Sequence, residues 1–374
     1  MSAPLPAAKS RIYYDVSSAL ETGKPMPVSV PALPHLIALE LTTVCNNFCS
    51  GCANSLLSAS KRERKYSIQY LQRWHEALEL VAAASPKLIR LTGGEPTLHP
   101  EFPQIVACLD TKNISHALLT TARWTLHRPD KVIRAYQACK NFAGMLVSLH
   151  GATREAHHAF VDSHPKAFTE TCDNIRRATG AGLDIFVNTV ITAANCHQIE
   201  AIVELATSLG AKFVVFNRFL SSAPHPLEPD DRALGEAILM VEALGRQGLP
   251  CRIGNSVPQC FVANSSDVNK AGVELCEISP NGDVRPDSFA HVRFGNIFED
   301  SLKNIWQSPQ AELYRRRTTE ACRNCAAFAY CRGGAKSVWA RQDKLMRLPL
   351  LSFARPKTDE LPNGNFLITA LTSD

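Results

Sequence analysis

Three thiols stand within eight residues of this chain: Cys45, Cys49 and Cys52, in the run Cys-Asn-Asn-Phe-Cys-Ser-Gly-Cys. Thiolates so closely spaced are ligands for soft metals, and a loop just past a strand end can aim several of them at one centre. Four cysteines normally complete a zinc site or an iron–sulfur cluster. Three suit a [4Fe-4S] cluster better than zinc, because one iron of the cube then stays open to a small ligand. The competing reading is three unrelated core cysteines. With 13 Cys in 374 residues, the spacing arises by chance in roughly one or two such chains per hundred.

Two further groups of residues could do chemistry. Gly93-Gly94-Glu95-Pro96 follows an apolar run; glycines there let backbone approach another group closely, although such a motif alone is more often a simple turn. Near the other end stands Cys322-x2-Cys325-x5-Cys331, with Cys260 and Cys276 upstream. Cys108, Cys139, Cys172, Cys196 and Cys251 fall in apolar helix or strand patterns and read as core.

The elements that must position these residues alternate. Strands are expected over 36–42, 87–92, 114–121, 144–150, 183–191 and 213–217. Helices are expected over 67–84, 100–109, 129–140, 168–179 and 196–209. The first helix takes Ser67 as N-cap and Ile68, Leu71, Trp74, Leu78 and Val81 as its apolar stripe. Pro129 stands near the start of the third, and Gly180 ends the fourth. Alternation of this kind implies right-handed crossovers and a parallel sheet. Six units make an α/β partial (β/α)6 barrel of the TIM type, in which chemistry sits at the C-terminal strand ends. The cysteine loop, 93–96, Thr120-Thr121, Ser148 to His150, Asn188 and Asn217-Arg218 all fall there.

Around that barrel at 35–229 the chain divides further. Residues 1–34 are proline-rich and read as an extended lead-in, and 221–229 with three prolines as a linker. A bridging helix is expected at 230–249. From about 250 the alternation stops and cysteines become frequent, so a smaller domain is expected at 250–345, followed by an extended tail at 346–374.

Cys45, Cys49 and Cys52 after one strand and Gly93 to Pro96 after the next, in that order, resemble the radical S-adenosylmethionine (radical SAM) superfamily, over roughly residues 35–335. The resemblance implies a SAM-binding [4Fe-4S] cluster on the three thiolates, reductive cleavage of SAM, and hydrogen abstraction by a 5′-deoxyadenosyl radical. It implies that Gly93, Gly94, Glu95 and Pro96 bind the methionyl end of SAM, with the Glu95 carboxylate on its ammonium. Ser148 matches the fourth-strand position that contacts the ribose, and Asn188 is a weaker match on the fifth strand. His150 and Arg218 are substrate-facing candidates by strand position. One departure stands in the loop: where the family often has an aromatic residue against the adenine, just before the third cysteine, this chain has Gly51.

Residues 278–286 and Gly295-Asn296-Ile297 resemble the SPASM/twitch extension, which implies auxiliary [4Fe-4S] clusters. Asp287 and Ala335 stand where the full pattern has cysteine. Two clusters need eight thiols, and Cys260, Cys276, Cys322, Cys325 and Cys331 are five. One auxiliary cluster is expected, on Cys276, Cys322, Cys325 and Cys331, with Asp287 or Cys260 able to complete or replace a ligand; a structural four-thiolate zinc site is the alternative.

A net charge of +5 is mild for this length and does not argue for nucleic acid. Residues 1–9 lack the apolar core of a secretory signal, and no run reaches 18 apolar residues, so no membrane span is expected. An odd cysteine count without a signal fits reduced thiols in the cytoplasm. The activity most in keeping with the resemblance is maturation of a ribosomally made precursor peptide by crosslinking, epimerisation or backbone excision. A flavodoxin or ferredoxin-type protein would supply the electron, and a separate small recognition protein, or the tail, would present the peptide, since 1–34 is too short to hold such a module. A dehydrogenase or decarboxylase acting on a sugar or aminocyclitol, and a metal-binding scaffold without turnover, are the other readings.

Overall fold

The computed structural model describes residues 30–52, 69–220, 224–254, 257, 269–290, 292–316, 322, 328–334 and 336. The lead-in before residue 30, Ser67, Ile68, Cys260, Cys325 and the tail from 337 lie outside them.

One face of a long sheet carries the core. Strand β1 is Leu36–Glu40, β3 is Leu88–Thr92, β4 is His116–Thr120, β5 is Phe142–Ser148, β7 is Ile185–Ile191 and β8 is Phe213–Arg218. All neighbours among these six are parallel, in that order. Helices α1 (Trp74–Ala82), α2 (Phe102–Thr111), α3 (Pro129–Gln137), α5 (Ala167–Gly180), α6 (Ile199–Ser208) and α7 (Asp231–Arg246) follow the strands as crossovers, as the 3.6-residue periodicity predicts. A short helix α4 (Arg154–Phe160), capped by the Thr153 hydroxyl accepting from the Ala156 amide, precedes α5; no apolar stripe announced it.

Alternation along each strand sorts the two faces. Ile37, Leu39, Leu91, Leu118, Met145, Val147, Val187 and Phe216 pack in one core with the apolar stripes of the helices. The residues between them face away from the helices. At the N-terminal ends these are Leu36, Leu88 and Ala117, a small apolar floor. Further along they are half-exposed and often polar: Arg90, Thr92, Ser148, Asn188 and Asn217. The sheet thus has a packed face and an open one.

Two expectations change here. Helix α1 starts at Trp74 rather than near 67, because 69–71 is held extended: Thr42 bridges Tyr70, and the Leu71 amide donates to the Leu41 carbonyl at 2.9 Å. The chain after 250 also does not leave the barrel at once. Strand β9 (Cys251–Ile253) extends the sheet beside β8, and β10 (Leu275–Ile278) pairs parallel with β1. Strands β11 (Asp283–Arg285) and β12 (Gly295–Asn296) continue it antiparallel. Strands of three and four residues are too short to leave a periodic trace in the sequence. Helices α8 (Leu302–Trp306), α9 (Pro309–Arg316) and α10 (Phe328–Cys331) complete the described chain. Among the described residues no helix is long and apolar enough to cross a membrane.

Candidate active site

The cysteine loop is fixed on every side. The Gly94 amide donates to the Thr42 carbonyl and the Glu95 amide to the Val44 carbonyl, each at 2.7 Å. A Cβ on Gly93 would stand 2.3 Å from the Thr42 oxygen, and one on Gly94 2.1 Å from the Val44 oxygen. The glycine pair is therefore required by the backbone of the cysteine loop itself, which occupies the close approach that the sequence reading assigned to a ligand. Further along, the Arg123 Nη1 donates to the Asn46 carbonyl at 2.9 Å, to Asn47 Oδ1 at 2.7 Å and to the Ser163 hydroxyl, while its Nε pairs with Glu170 at 2.8 Å. Phe48 and Cys49 form strand β2, antiparallel to β6 (Val161–Asp162), and the Ser50 amide donates to the Phe160 carbonyl. Arg123 escaped the sequence reading; its place just past Thr120-Thr121, at a C-terminal strand end, was the available signal.

Within this frame the thiols of Cys45, Cys49 and Cys52 are half-buried, whereas Cys172, Cys251 and Cys276 are buried. The Asn47 amide points at the Cys45 sulfur from 3.4 Å, a contact of the kind that tunes iron–sulfur clusters. Among the described residues no three metal-ligating side chains converge as they would round a single ion. A [4Fe-4S] cube gives each thiolate its own iron and does not ask for that convergence. Three accessible thiols on a loop held by other residues fit such a group.

At Gly51 the departure from the family pattern acquires a partner. The backbone there has φ +78°, and a Cβ would stand 2.7 Å from the ring of Phe219, just past β8. Phe219 is buried with Phe160 and Val161, against Cys49 and Val190. An aromatic ring thus lies over the loop from the opposite direction. Gly51→Tyr is expected to destabilise the metal-free chain by about 1–3 kcal/mol through strain and overpacking, and Phe219→Ala in the same chain to recover part of it; thermal unfolding of the three variants measures this.

Glu95 is wholly enclosed. Its carboxylate accepts from the Thr97 amide and hydroxyl (3.2 and 2.6 Å), the Thr120 hydroxyl (2.8 Å) and the Thr121 amide (2.7 Å). Burial raises its pKa above the usual carboxylate value, and the hydrogen bonds from Thr97, Thr121 and Thr120 oppose that rise. Through these bonds the side chain ties the end of β3 to the end of β4. Pro96 opens the short 3-10 turn that begins there.

Ser148, Asn188 and Asn217 all face the open side of the sheet. Ser148 is in register with Asn188, and the Asn217 amide donates to the Asn188 side-chain oxygen. The other two strand candidates do not join them. His150 is buried: its Nδ1 accepts from the Val190 amide at 3.1 Å, its own amide donates to His157 Nδ1 at 3.1 Å, and its ring packs on Phe160. Burial, then the neighbouring His157, holds its pKa well below the ordinary imidazole value. It is a neutral clasp between β5 and β7. Arg218 pairs in register with Ile191, on the helix-covered face, and is also buried. Counting by twos from Phe213 reaches Asn217, not Arg218, which is how the sequence could have chosen the residue that faces inward.

The auxiliary group changes too. Cys276 lies on β10 opposite Ile37, fully buried among core side chains, and burial raises its pKa far above the ordinary thiol value. It packs here as a core residue. Asp287 Oδ1 accepts from the Phe289 amide at 2.8 Å and closes a turn. Cys322 is buried and Cys331 half-buried.

Comparison with known proteins decides the family. Residues 39–206 match the model of the radical SAM superfamily, and residues 270–326 match SPASM, an iron–sulfur cluster-binding domain. The chain belongs to the radical SAM superfamily. A "PqqA peptide cyclase" of Methylorubrum extorquens is 27% identical over 321 residues, covering 81% of this chain and 80% of that protein. The "Mycofactocin maturase MftC" of Mycobacterium tuberculosis is 26% identical over 317 residues, covering 80% and 78%. The crystal structure of Streptococcus suis SuiB bound to its precursor peptide SuiA shares the fold at TM-score 0.64 and 15% identity, over 90% of this chain and 80% of that one. Radical SAM domains bind a [4Fe-4S] cluster and SAM, and the SPASM match adds an auxiliary iron–sulfur centre. In this radical SAM chain Cys45, Cys49 and Cys52 fit the first.

Proposed function

We propose that this radical SAM enzyme modifies a ribosomally made precursor peptide in the cytoplasm. The observation that carries the reading is the reach of the similarity to the peptide cyclase, which runs through both the barrel and the cysteine-rich extension. Cys45, Cys49 and Cys52 would hold the cluster, and Gly93 and Gly94 keep their loop pressed to the sheet. When bound, the cluster and SAM supply a 5′-deoxyadenosyl radical able to take a hydrogen atom that acid–base chemistry cannot remove. The chain's own part is position and enclosure. Phe219 closes the loop from beyond β8, and Ser148, Asn188 and Asn217 line the open face with hydrogen-bonding groups for the ribose and the peptide backbone. A flavodoxin or ferredoxin-type donor supplies the electron, and a separate small recognition protein delivers the peptide.

Co-expression with short precursor peptides encoded nearby tests this. A loss of about 2 Da in peptide mass indicates crosslinking or oxidation, and a large loss indicates backbone excision. No mass change in any such peptide, together with 5′-deoxyadenosine release stimulated by a sugar or aminocyclitol, would replace the peptide reading with the small-molecule one.

A further inference from the structure

The peptide unit between Asn46 and Asn47 is held at both ends. Its N–H points at the Cys45 sulfur from 3.4 Å. Its carbonyl accepts from Arg123 Nη1 and from the Ser163 hydroxyl, each at 2.9 Å. The same Nη1 donates to Asn47 Oδ1 at 2.7 Å. The clasp is reciprocal: Asn46 Nδ2 donates to the Arg123 carbonyl at 2.6 Å, and the Thr121 hydroxyl to Asn46 Oδ1 at 3.3 Å. The peptide cannot turn its N–H away from the sulfur without breaking bonds to the segment that follows β4.

A chain of polar groups thus runs from a guanidinium, through one peptide unit, to a sulfur. Hydrogen bonds in series polarise one another, and a charged donor on the carbonyl of an amide makes its N–H a stronger donor. The charge also sits where water cancels little of it. The Arg123 side chain is 6% exposed, while the Glu170 carboxylate that its Nε meets at 2.8 Å is 39% exposed, on the first turn of α5. Solvent screens the glutamate more than the arginine. Of the other titratable groups around Arg123 and the loop, His157 is kept neutral at pH 7 by burial, then by His158 and Arg123 itself. Asp162, opposite Phe48 in the β2–β6 pair, is exposed.

We propose that Arg123 is a positioning residue that sets the reduction potential of the cluster on Cys45, Cys49 and Cys52. This rests on the radical SAM reading of those three thiols. An N–H directed at a ligand sulfur and a cation nearby both favour the state that carries one more electron, so both raise the potential. The effect of removing one charge is a difference, and its sign does not depend on the sum of the charges that remain. Arg123 acts through the 46–47 peptide and the Cys45 sulfur. A raised potential narrows the gap across which the electron donor must work.

Anaerobic redox titration of the reconstituted full chain, read by EPR without SAM or peptide, tests this. The cluster followed is the one whose signal changes when SAM is added afterwards, which marks the cluster with an open iron. Arg123→Gln removes the charge. It is expected to lower the ratio of reduced to oxidised cluster at a fixed potential about tenfold, which for one electron is a shift of about 59 mV to more negative values. Glu170→Gln keeps an acceptor for Arg123 Nε and removes the countercharge, and is expected to raise that ratio roughly twofold, the smaller effect following from solvent screening. A role confined to holding the loop would move both variants the same way or neither. A loaded Arg123→Gln cluster with the wild-type potential, or a higher one, overturns the proposal. If Arg123→Gln does not fold or takes up no iron, Glu170→Gln decides, and a potential at or below that of the wild type overturns it. Wild type that binds no iron overturns the proposal and the radical SAM reading together, whereas equal potentials in loaded proteins overturn the proposal alone.

Discussion

Replacing Cys45, Cys49 and Cys52 together by alanine will strip the barrel of its iron and leave its fold standing. After anaerobic reconstitution the variant is expected to carry about four fewer irons per chain than the wild type. Its production of 5′-deoxyadenosine from SAM under a chemical reductant is expected to fall to the level seen without protein. The fold survives because the loop is not held by its thiols. Gly94 and Glu95 pin its start, Arg123 and Ser163 its middle, and Phe160 and Val161 its end. Metal-free wild type and variant should therefore unfold at similar temperatures, each half-buried thiol contributing little packing. Cys276→Val is the contrast. It changes a core residue between β10 and the helices and should leave the iron count unchanged. Full iron in the triple variant would remove the basis of the enzymatic reading, and loss of iron in Cys276→Val would restore that residue as a ligand.

The parts of this molecule that were legible in the sequence are those written in local periodicity. Six strands and the helices between them follow from alternation and from stripes such as Ile105, Val106 and Leu109, each of which needs only its own neighbours to declare a face. The three cysteines were legible because their spacing is local as well. What was not legible depends on register. Whether residue 217 or 218 faces inward is set by how β8 pairs with β7, and a shift of one residue exchanges the faces. The same holds for Cys276, which by spacing alone looked like a member of a cysteine group and by pairing with Ile37 is core. Phe219 over Gly51 and Arg285 between Glu40 and Glu277 join positions far apart in the chain. Without register, no pattern within one segment could have brought them together.

Acid should weaken this fold sooner than its carboxylates would dictate, and the cause is the buried histidine pair. His157 stands on the buried face of α4 with its Nδ1 accepting from the His150 amide. Burial, then its neighbours His158 and Arg123, lowers its pKa to about 3. His150 is lowered in the same direction by burial and by His157. In the unfolded chain both rings take a proton near pH 6.5. Between that pH and about 3 the unfolded chain binds a proton that folded His157 refuses, so stability falls as pH falls. At full effect the slope is about 1.4 kcal/mol per pH unit for each ring. From pH 7 to pH 5 this amounts to about 2 kcal/mol for His157, a large part of an ordinary domain's stability, and His150 adds to it in the same direction. Urea unfolding of the metal-free chain at the two pH values measures it. His157→Gln keeps an acceptor for the His150 amide and removes one titrating ring. It should be less stable than the wild type at pH 7, yet lose about 2 kcal/mol less between pH 7 and pH 5. Equal losses in wild type and variant would show that the pair does not titrate on unfolding and that the acid sensitivity lies elsewhere.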